Sequence, residues 1–388
     1  MQKVREYLKQ ILFFIHQHVL ILGLAGIGVV VTALLTFSFF KFSSVFVSAP
    51  VPQVVEVPEF SPSPTPPPDP LRPYSVLLLG YGGGTHEGGS LTDTMLLVYV
   101  VPREQRATLF SIPRDLWVEL PTSEAEKKWS KINAAFAIGN DDSKYPDKPE
   151  QFSGMGGGGR MAKAVVSEIL GIEVDYFAAI NFAGFVSAYD SLGDISVYVP
   201  VTFDDEFYPI EGLENETCDK SEEDITALTA TMSGYKLEQE FTCRYEKLHF
   251  DAGLQVMDGE TALKFVRSRH SEQHGGDFGR SQRQQALLAA VKNKLFTPAG
   301  LLQLIPTALR MTNYVQTDVT PEKIKEIITT HEGLSEYELS TVRLTDDKGD
   351  DILKQTYSAD GQYILVPTSG QGDWTSVREF FIQEVTKQ

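Results

Sequence analysis

Positive charge is scarce in this 388-residue chain: 34 Lys and Arg face 52 Asp and Glu, for a formal net charge of −18. The first 41 residues carry Lys3, Arg5, Lys9 and Lys41 against Glu6, a net of +3, so the remainder holds −21. A surface of that sign excludes non-specific nucleic-acid binding, which needs cations along the phosphate backbone. Cysteine is nearly absent. Cys218 and Cys243 are the whole complement, and without neighbouring histidines they do not read as a metal pair. Gly80 to Gly89 is glycine-rich but lacks Gly-Lys-Ser/Thr and the dinucleotide spacing, so it is neither a P-loop nor a nucleotide fingerprint. There is no internal repeat, and no break in composition demands a second domain in the globular part.

Charge is wholly missing from Val19 to Phe40, 22 residues. At about 1.5 Å per residue this run covers a hydrocarbon core of about 30 Å, and it exceeds the 7 to 15 residues usual for a signal peptide. The reading is one transmembrane helix over 19–40, with a cleaved signal as the alternative. Lys3, Arg5 and Lys9 precede the span and Lys41 alone follows at once, so residues 1–18 are expected in the cytoplasm and the rest outside. Residues 41–73, with the run SPSPTPPPDP, are an extended extracytoplasmic linker. Residues 74–388 form the globular domain, with an acidic insertion at about 211–247 bracketed by the cysteines. An oxidising compartment favours a Cys218–Cys243 disulfide over two free thiols.

Within the domain, YSVLLLG (74–80) is an unbroken apolar run of the kind a doubly buried strand shows. Met95–Val101 and Ala107–Ile112 read as further strands joined by a hairpin, so the sheet is mixed. Asp93 is expected just before its strand, and Arg114 and Asp115 just after theirs, where open α/β sheets keep ligand sites. His86 and Glu87 sit in the glycine loop as weak metal candidates. Lys131 opens an expected amphipathic helix, residues 141–159 read as loop, and Met161–Leu170 as helix. Residues 176–199 read as strand, helix and strand, with Phe182, Phe185 and Tyr189 either core or the lining for a long apolar ligand.

Arginine is concentrated in one place. Phe265 to Gln285, FVRSRHSEQHGGDFGRSQRQQ, holds Arg267, Arg269, Arg280 and Arg283 and no lysine. Asp258 caps a short helix, Gly275-Gly276 breaks it off, and a second helix capped by Asp277 follows. Its apolar stripe, Leu287, Leu288, Val291 and Leu295, extends backwards onto Gln284 and Arg280. Inward-facing guanidinium groups require an anion, and their planar fork matches phosphate or carboxylate oxygens. The stretch therefore reads as an oxyanion clamp, against the alternative of solvated pairing with the chain's many carboxylates.

The ordered set LTDT, SIPRD, KINAAF, NFAGF, MDG, VRSR and GDFGRSQRQQ resembles the LytR-CpsA-Psr family, from about Tyr74 to the C-terminus. The resemblance implies a mixed sheet flanked by helices on both sides, with an apolar groove for a polyprenyl chain. It also implies an extracytoplasmic, magnesium-dependent transferase that moves an anionic glycopolymer from polyprenyl pyrophosphate to peptidoglycan through a phosphodiester bond. By motif, Arg114, Arg267, Arg269, Arg280, Arg283, Gln284 and Lys131 would surround the pyrophosphate. Asp93 would ligate the metal or accept the acceptor's proton, and Asp115 would either accept that proton or orient Arg114. Two positions depart from the pattern: Gly82 stands where many members have Asp, and Leu91 where they have Arg. Glu87 or His86 is the candidate replacement ligand. A pyrophosphate hydrolase and a non-catalytic lipid or wall-polymer binder are the competing functions.

Overall fold

The computed structural model describes residues 69–84, 88–232, 234–295, 314–330, 337–344 and 352–387. The apolar run 19–40, the linker up to residue 68, and His86 and Glu87 lie outside the described residues. Among the described residues no helix is long and apolar enough to cross a membrane.

In chain order, β1 (Tyr74–Tyr81), β2 (Thr92–Val101) and β3 (Arg106–Ser111) are followed by the hairpin β4 (Trp117–Pro121) and β5 (Lys127–Lys131). Next come α1 (Ala134–Asn140), α2 (Gly157–Leu170), β6 (Tyr176–Asn181), α3 (Phe182–Ser191) and β7 (Ile195–Val199). Strand β8 (Phe203–Pro209) pairs with β9 (Tyr245–Phe250), and the excursion between them carries α4 (Glu222–Thr231) and α5 (Tyr235–Glu238). Then follow β10 (Gly253–Met257), α6 (Gly259–Arg267), α7 (Gly276–Leu295), β11 (Val315–Thr317), α8 (Pro321–Thr330) and β12 (Glu338–Arg343). The hairpin β13 (Leu353–Tyr357) and β14 (Tyr363–Pro367) precedes the last helix, α9 (Thr375–Thr386).

Six strands form one mixed sheet in the order β11-β6-β1-β2-β3-β12. Strand β1 is antiparallel to β2 and parallel to β6, while β3 is antiparallel to β2 and parallel to β12. Period-two alternation assigns the two faces. Leu77, Leu79, Leu97, Phe110 and Phe177 are buried in a core shared with α1, α2 and α9. Each such fully buried side chain contributes roughly 1.5–3 kcal/mol. The opposite face, with Leu78, Leu96 and Ala178, turns toward α3, α6 and α7.

Three local expectations differ from the structure. Helix α2 starts at Gly157, not Met161, and residues 157–159 are its first turn. Glycine serves there because neighbours press directly on its backbone: a Cβ on Gly159 would lie 2.1 Å from the Phe177 ring, and one on Gly157 would lie 2.1 Å from the Phe152 carbonyl oxygen. Composition alone read that approach as a loop. Lys131 ends β5 instead of opening a helix, because KKWSK pairs with WVELP across a hairpin. Helix α7 begins at Gly276, so Asp277 sits inside its first turn.

Candidate functional site

A cavity of about 540 Å³ lies between the sheet and helices α3, α6 and α7. Its apolar part is lined by Leu78 and Ile180 from the sheet, Phe182 and Phe185 from α3, and Leu287 and Leu288 from α7. Tyr189, also on α3, is instead buried in a second core with Phe203, Phe265 and Leu287. The aromatic run on α3 is thus divided between lining and core.

The polar part of the same cavity gathers Arg114, Arg267, Arg269, Arg280 and Gln284. They come from four places: the turn after β3, the last residue of α6, the loop that follows, and the first turns of α7. Helix α6 is capped as its sequence dictates, the Asp258 carboxylate accepting from Thr261 N–H at 2.8 Å. Arg267 therefore falls on the last turn of that helix. Its guanidinium lies over the Phe182 ring at 4.0 Å and donates to the Tyr208 hydroxyl at 3.1 Å, which fixes its plane.

Asp93 reaches the cavity through an irregularity in the sheet. Strand β2 begins at Thr92, earlier than expected, and the register passes from Gly80↔Thr94 to Tyr81↔Thr92, skipping Asp93. A bulge of this kind re-aims a side chain. The Asp93 carboxylate accepts from Arg114 Nη1. Arg114 Nε in turn lies 3.5 Å from Asp115, and Lys131 Nζ lies 2.6 Å from the other Asp115 oxygen. The four groups form a row of alternating charge. Among the described residues that line the cavity, neither Asp115 nor Lys131 appears. They stand behind Arg114, a placement suited to orienting it.

Arg283 requires a correction. The motif places it with the phosphate ligands, but it is fully buried and absent from the lining. Its Nε donates to Phe265 O at 2.9 Å and Nη1 to His274 O at 2.7 Å, while Nη2 donates to Ser268 O. Its guanidinium also stacks over Phe203 at 4.7 Å. Burial pushes its pKa down to about 10, with Asp205 opposing that shift. Arg283 faces the core because it is rotated about 100° from Gln284 on the helix.

The counterpart of Arg283 is Asp205, which the sequence reading missed. One of its oxygens accepts from Ser268 Oγ at 2.6 Å, Arg269 N–H at 2.9 Å and His270 N–H at 3.1 Å. The other accepts from Phe207 N–H at 3.0 Å. Burial alone would raise this carboxyl's pKa, but the four hydrogen bonds outweigh it and hold the group below the usual carboxylate range. Asp205 and Arg283 thus grip the loop after α6 from opposite sides, one through its N–H groups and one through its carbonyls. The period-two pattern of β8 carries the missed signal, since Asp205 shares the face of Phe203 while Asp204 and Glu206 alternate outward.

The acidic excursion between β8 and β9 is closed by a Cys218–Cys243 disulfide, with Cα atoms 5.6 Å apart. Glu238 from this excursion and His270 from the arginine loop also line the cavity.

Among the described residues no group of three or more His, Cys, Asp or Glu gathers as a metal site. Asp93 is the carboxylate beside Arg114, and Asp205 has both oxygens occupied. At the glycine loop, Gly83 N–H donates to Gly89 O at 2.8 Å, so that donor closes the loop on itself.

Comparison with known proteins agrees with this architecture. The fold resembles the crystal structure of TagV from B. subtilis (TM-score 0.53, 21% identity, covering 82% of this chain and 99% of that one). It also resembles protein gbs0355 from Streptococcus agalactiae (TM-score 0.54, 21% identity, 82% and 89%). In sequence the chain is 29% identical over 231 residues to biofilm regulatory protein A of Streptococcus mutans, covering 58% of this chain and 44% of that protein. It is 24% identical over 277 residues to the polyisoprenyl-teichoic acid–peptidoglycan teichoic acid transferase TagV of Bacillus subtilis, covering 71% and 57%. It is 25% identical over 260 residues to the enzyme of the same description, TagU, of Enterococcus faecalis, covering 66% and 65%. The chain thus spans between roughly half and two thirds of the length of these curated relatives. The model of the LytR_cpsA_psr family matches residues 53–369, and the chain belongs to that family.

Proposed function

We propose that this protein is a membrane-anchored extracytoplasmic phosphotransferase. It takes an anionic glycopolymer from a polyprenyl pyrophosphate carrier and joins it to peptidoglycan through a phosphodiester bond. The observation that carries this reading is the joining, in one cavity, of an apolar part and a cluster of four arginines and a glutamine. An amphiphile with a long hydrocarbon tail and a multiply charged phosphate head matches both parts. The relatives named as teichoic acid–peptidoglycan transferases support the same reaction class. The apolar run 19–40 supports the anchor.

In the proposed step, a sugar hydroxyl oxygen of the acceptor bonds to the glycan-bearing phosphorus. The bond from that phosphorus to the bridging oxygen breaks, and polyprenyl monophosphate leaves. Arg114, Arg267, Arg269 and Arg280 stabilise the charge that grows on the leaving phosphate, and their fixed placement avoids reorganisation at the moment of reaction. Asp93, held against Arg114, takes the hydroxyl proton or faces the metal. Magnesium, when bound, would neutralise phosphate charge beside Asp93. Asp115 and Lys131 keep Arg114 in place.

A second reading, a non-catalytic holder of polyprenyl lipids, draws on Gly82 and Leu91, where many family members carry a carboxylate and an arginine. Product analysis separates the two. Incubation of the full chain with a short polyprenyl-pyrophosphate glycan and a peptidoglycan oligomer should yield a phosphodiester-linked product in magnesium and none in chelator. Tight lipid binding without product in either condition would establish the holder.

A further inference from the structure

The register between β1 and β2 bypasses Asp93, so its place depends on the two residues that flank it. Thr94 pairs with Gly80, and the strands lie close there: a Cβ on Gly80 would come within 3.2 Å of Thr94 Cβ. Thr92 is held from another direction. It is fully buried, and its N–H at 3.2 Å and its hydroxyl at 3.3 Å both donate to the main-chain oxygen of Asn133.

Asn133 also reaches the other end of the charged row. Its N–H donates to Arg114 O at 3.4 Å, and the N–H of Ile132 before it donates to Leu116 O at 2.8 Å. Lys131, one residue further back, meets Asp115 at 2.6 Å. Segment 131–133 therefore runs against 114–116 and ends on Thr92. The contact between Asp93 and Arg114 is thus closed twice, once by their side chains and once through the main chain of Asn133. Both partners of the side-chain contact are partly exposed, and an ion pair of that kind is a weak restraint by itself. The main-chain route is buried and carries the alignment.

We propose that Thr92 is a positioning residue for transfer. Its hydroxyl, acting through the Asn133 carbonyl, sets where the bulged Asp93 presents its carboxylate to Arg114 and to the incoming sugar hydroxyl. Valine has nearly the same shape, but it leaves that carbonyl with the Thr92 N–H alone and loosens the bulge that aims Asp93. This inference rests on the proposed transfer reaction and adds what fixes Asp93 within it.

The test measures kcat and KM for transfer of a short polyprenyl-pyrophosphate glycan to a peptidoglycan oligomer by the full chain in detergent with magnesium. Thr92→Val should lower kcat about tenfold, the effect of a small misplacement at the reacting centre, while KM stays within about twofold because the arginines that bind are untouched. Thr92→Ser, which keeps the hydroxyl and loses the methyl, should stay within about twofold of wild type in both. Introduced into Asp93→Asn, Thr92→Val should cost nothing further, because two residues that act through one group do not add. A Thr92→Val protein as fast as wild type, or a Thr92→Ser protein slower than Thr92→Val, assigns Thr92 to packing and overturns the proposal. A loss that appears in full on top of Asp93→Asn overturns it too, since Thr92 then acts elsewhere. Should Thr92→Val fail to fold, Thr92→Ala against Thr92→Ser carries the same contrast, and equal rates for those two overturn it. No product from wild type overturns the transfer reaction and this role together.

Discussion

Arg280 and Arg283 stand three residues apart on α7 and occupy different environments. Arg280 lines the cavity with Gln284, whereas Arg283 is fully buried and donates to three main-chain carbonyls of the segment that leads into α7. The motif writes them alike, and helical rotation separates them. One faces the cavity, and the other supplies the protein's own carbonyls so that the loop holds Arg269 in place. An arginine-rich motif can therefore be half recognition and half scaffold, and only the packing tells which half a given residue belongs to.

The sharpest way to break this comparison is to remove each arginine in turn. Arg283→Met should destabilise the fold by about 3–5 kcal/mol in denaturant unfolding, because it leaves the carbonyls of Phe265, Ser268 and His274 without their donors and removes the positive charge near buried Asp205. Arg283→Lys should be nearly as damaging, since one ammonium cannot serve the three carbonyls that the planar fork reaches. If Arg283→Met unfolds like wild type, the scaffold role is wrong. Arg269→Ala and Arg280→Ala should instead leave the unfolding midpoint near that of wild type and lower transfer about 10²–10³-fold, the range seen for lost transition-state donors. A drop in midpoint comparable to that of Arg283→Met would erase the distinction.

Legibility in the sequence followed the same division. Strand β1, helix α6 with its Asp258 cap, and the inward register of Gln284 and Arg280 could be read because local periodicity and capping determine them. The buried fate of Arg283 could not, since it depends on carbonyls at Phe265, Ser268 and His274 and on a carboxylate from β8, more than 70 residues upstream. Local pattern places Asp93 in a loop ahead of its strand, because a bulge is a property of pairing between strands. The three-glycine start of α2 reads as loop because glycine's ordinary meaning is a break, and its reason here is contact with Phe177 and Phe152. The role of Asp205 is hard to read because it stands in an acidic stretch where charge reads as solvated surface.

The scaffold half also carries a pH signature. The Asp205 pKa is depressed in the fold, so its contribution to stability is fully present above the ordinary carboxylate range and is lost as pH falls through its lowered value. Unfolding midpoints measured from neutral to acid pH should fall more steeply in wild type than in Asp205→Asn. Identical slopes would remove Asp205 from the account. A smaller effect on activity is expected at Asp115: Asp115→Asn should lower transfer by about tenfold or less, against 10²-fold or more for Asp93→Asn, because Asp115 acts through Arg114. The reverse order would exchange their roles.

The disulfide should have the smallest effect on the fold. None of the residues of α4 is buried, so reduction of Cys218–Cys243 should loosen the excursion while the main transition stays within a few degrees. Hydrogen exchange confined to the excursion, between β8 and β9, would show this. Exchange spreading into the central sheet would contradict it.

The most direct test is transfer of a short polyprenyl-pyrophosphate glycan to a peptidoglycan oligomer by the full chain in vesicles, comparing wild type with Arg269→Ala. A phosphodiester-linked product from wild type, reduced at least about 10²-fold in a variant that folds as well, is the predicted result. Equal product from both proteins would mean that the arginine cluster is not what performs the transfer.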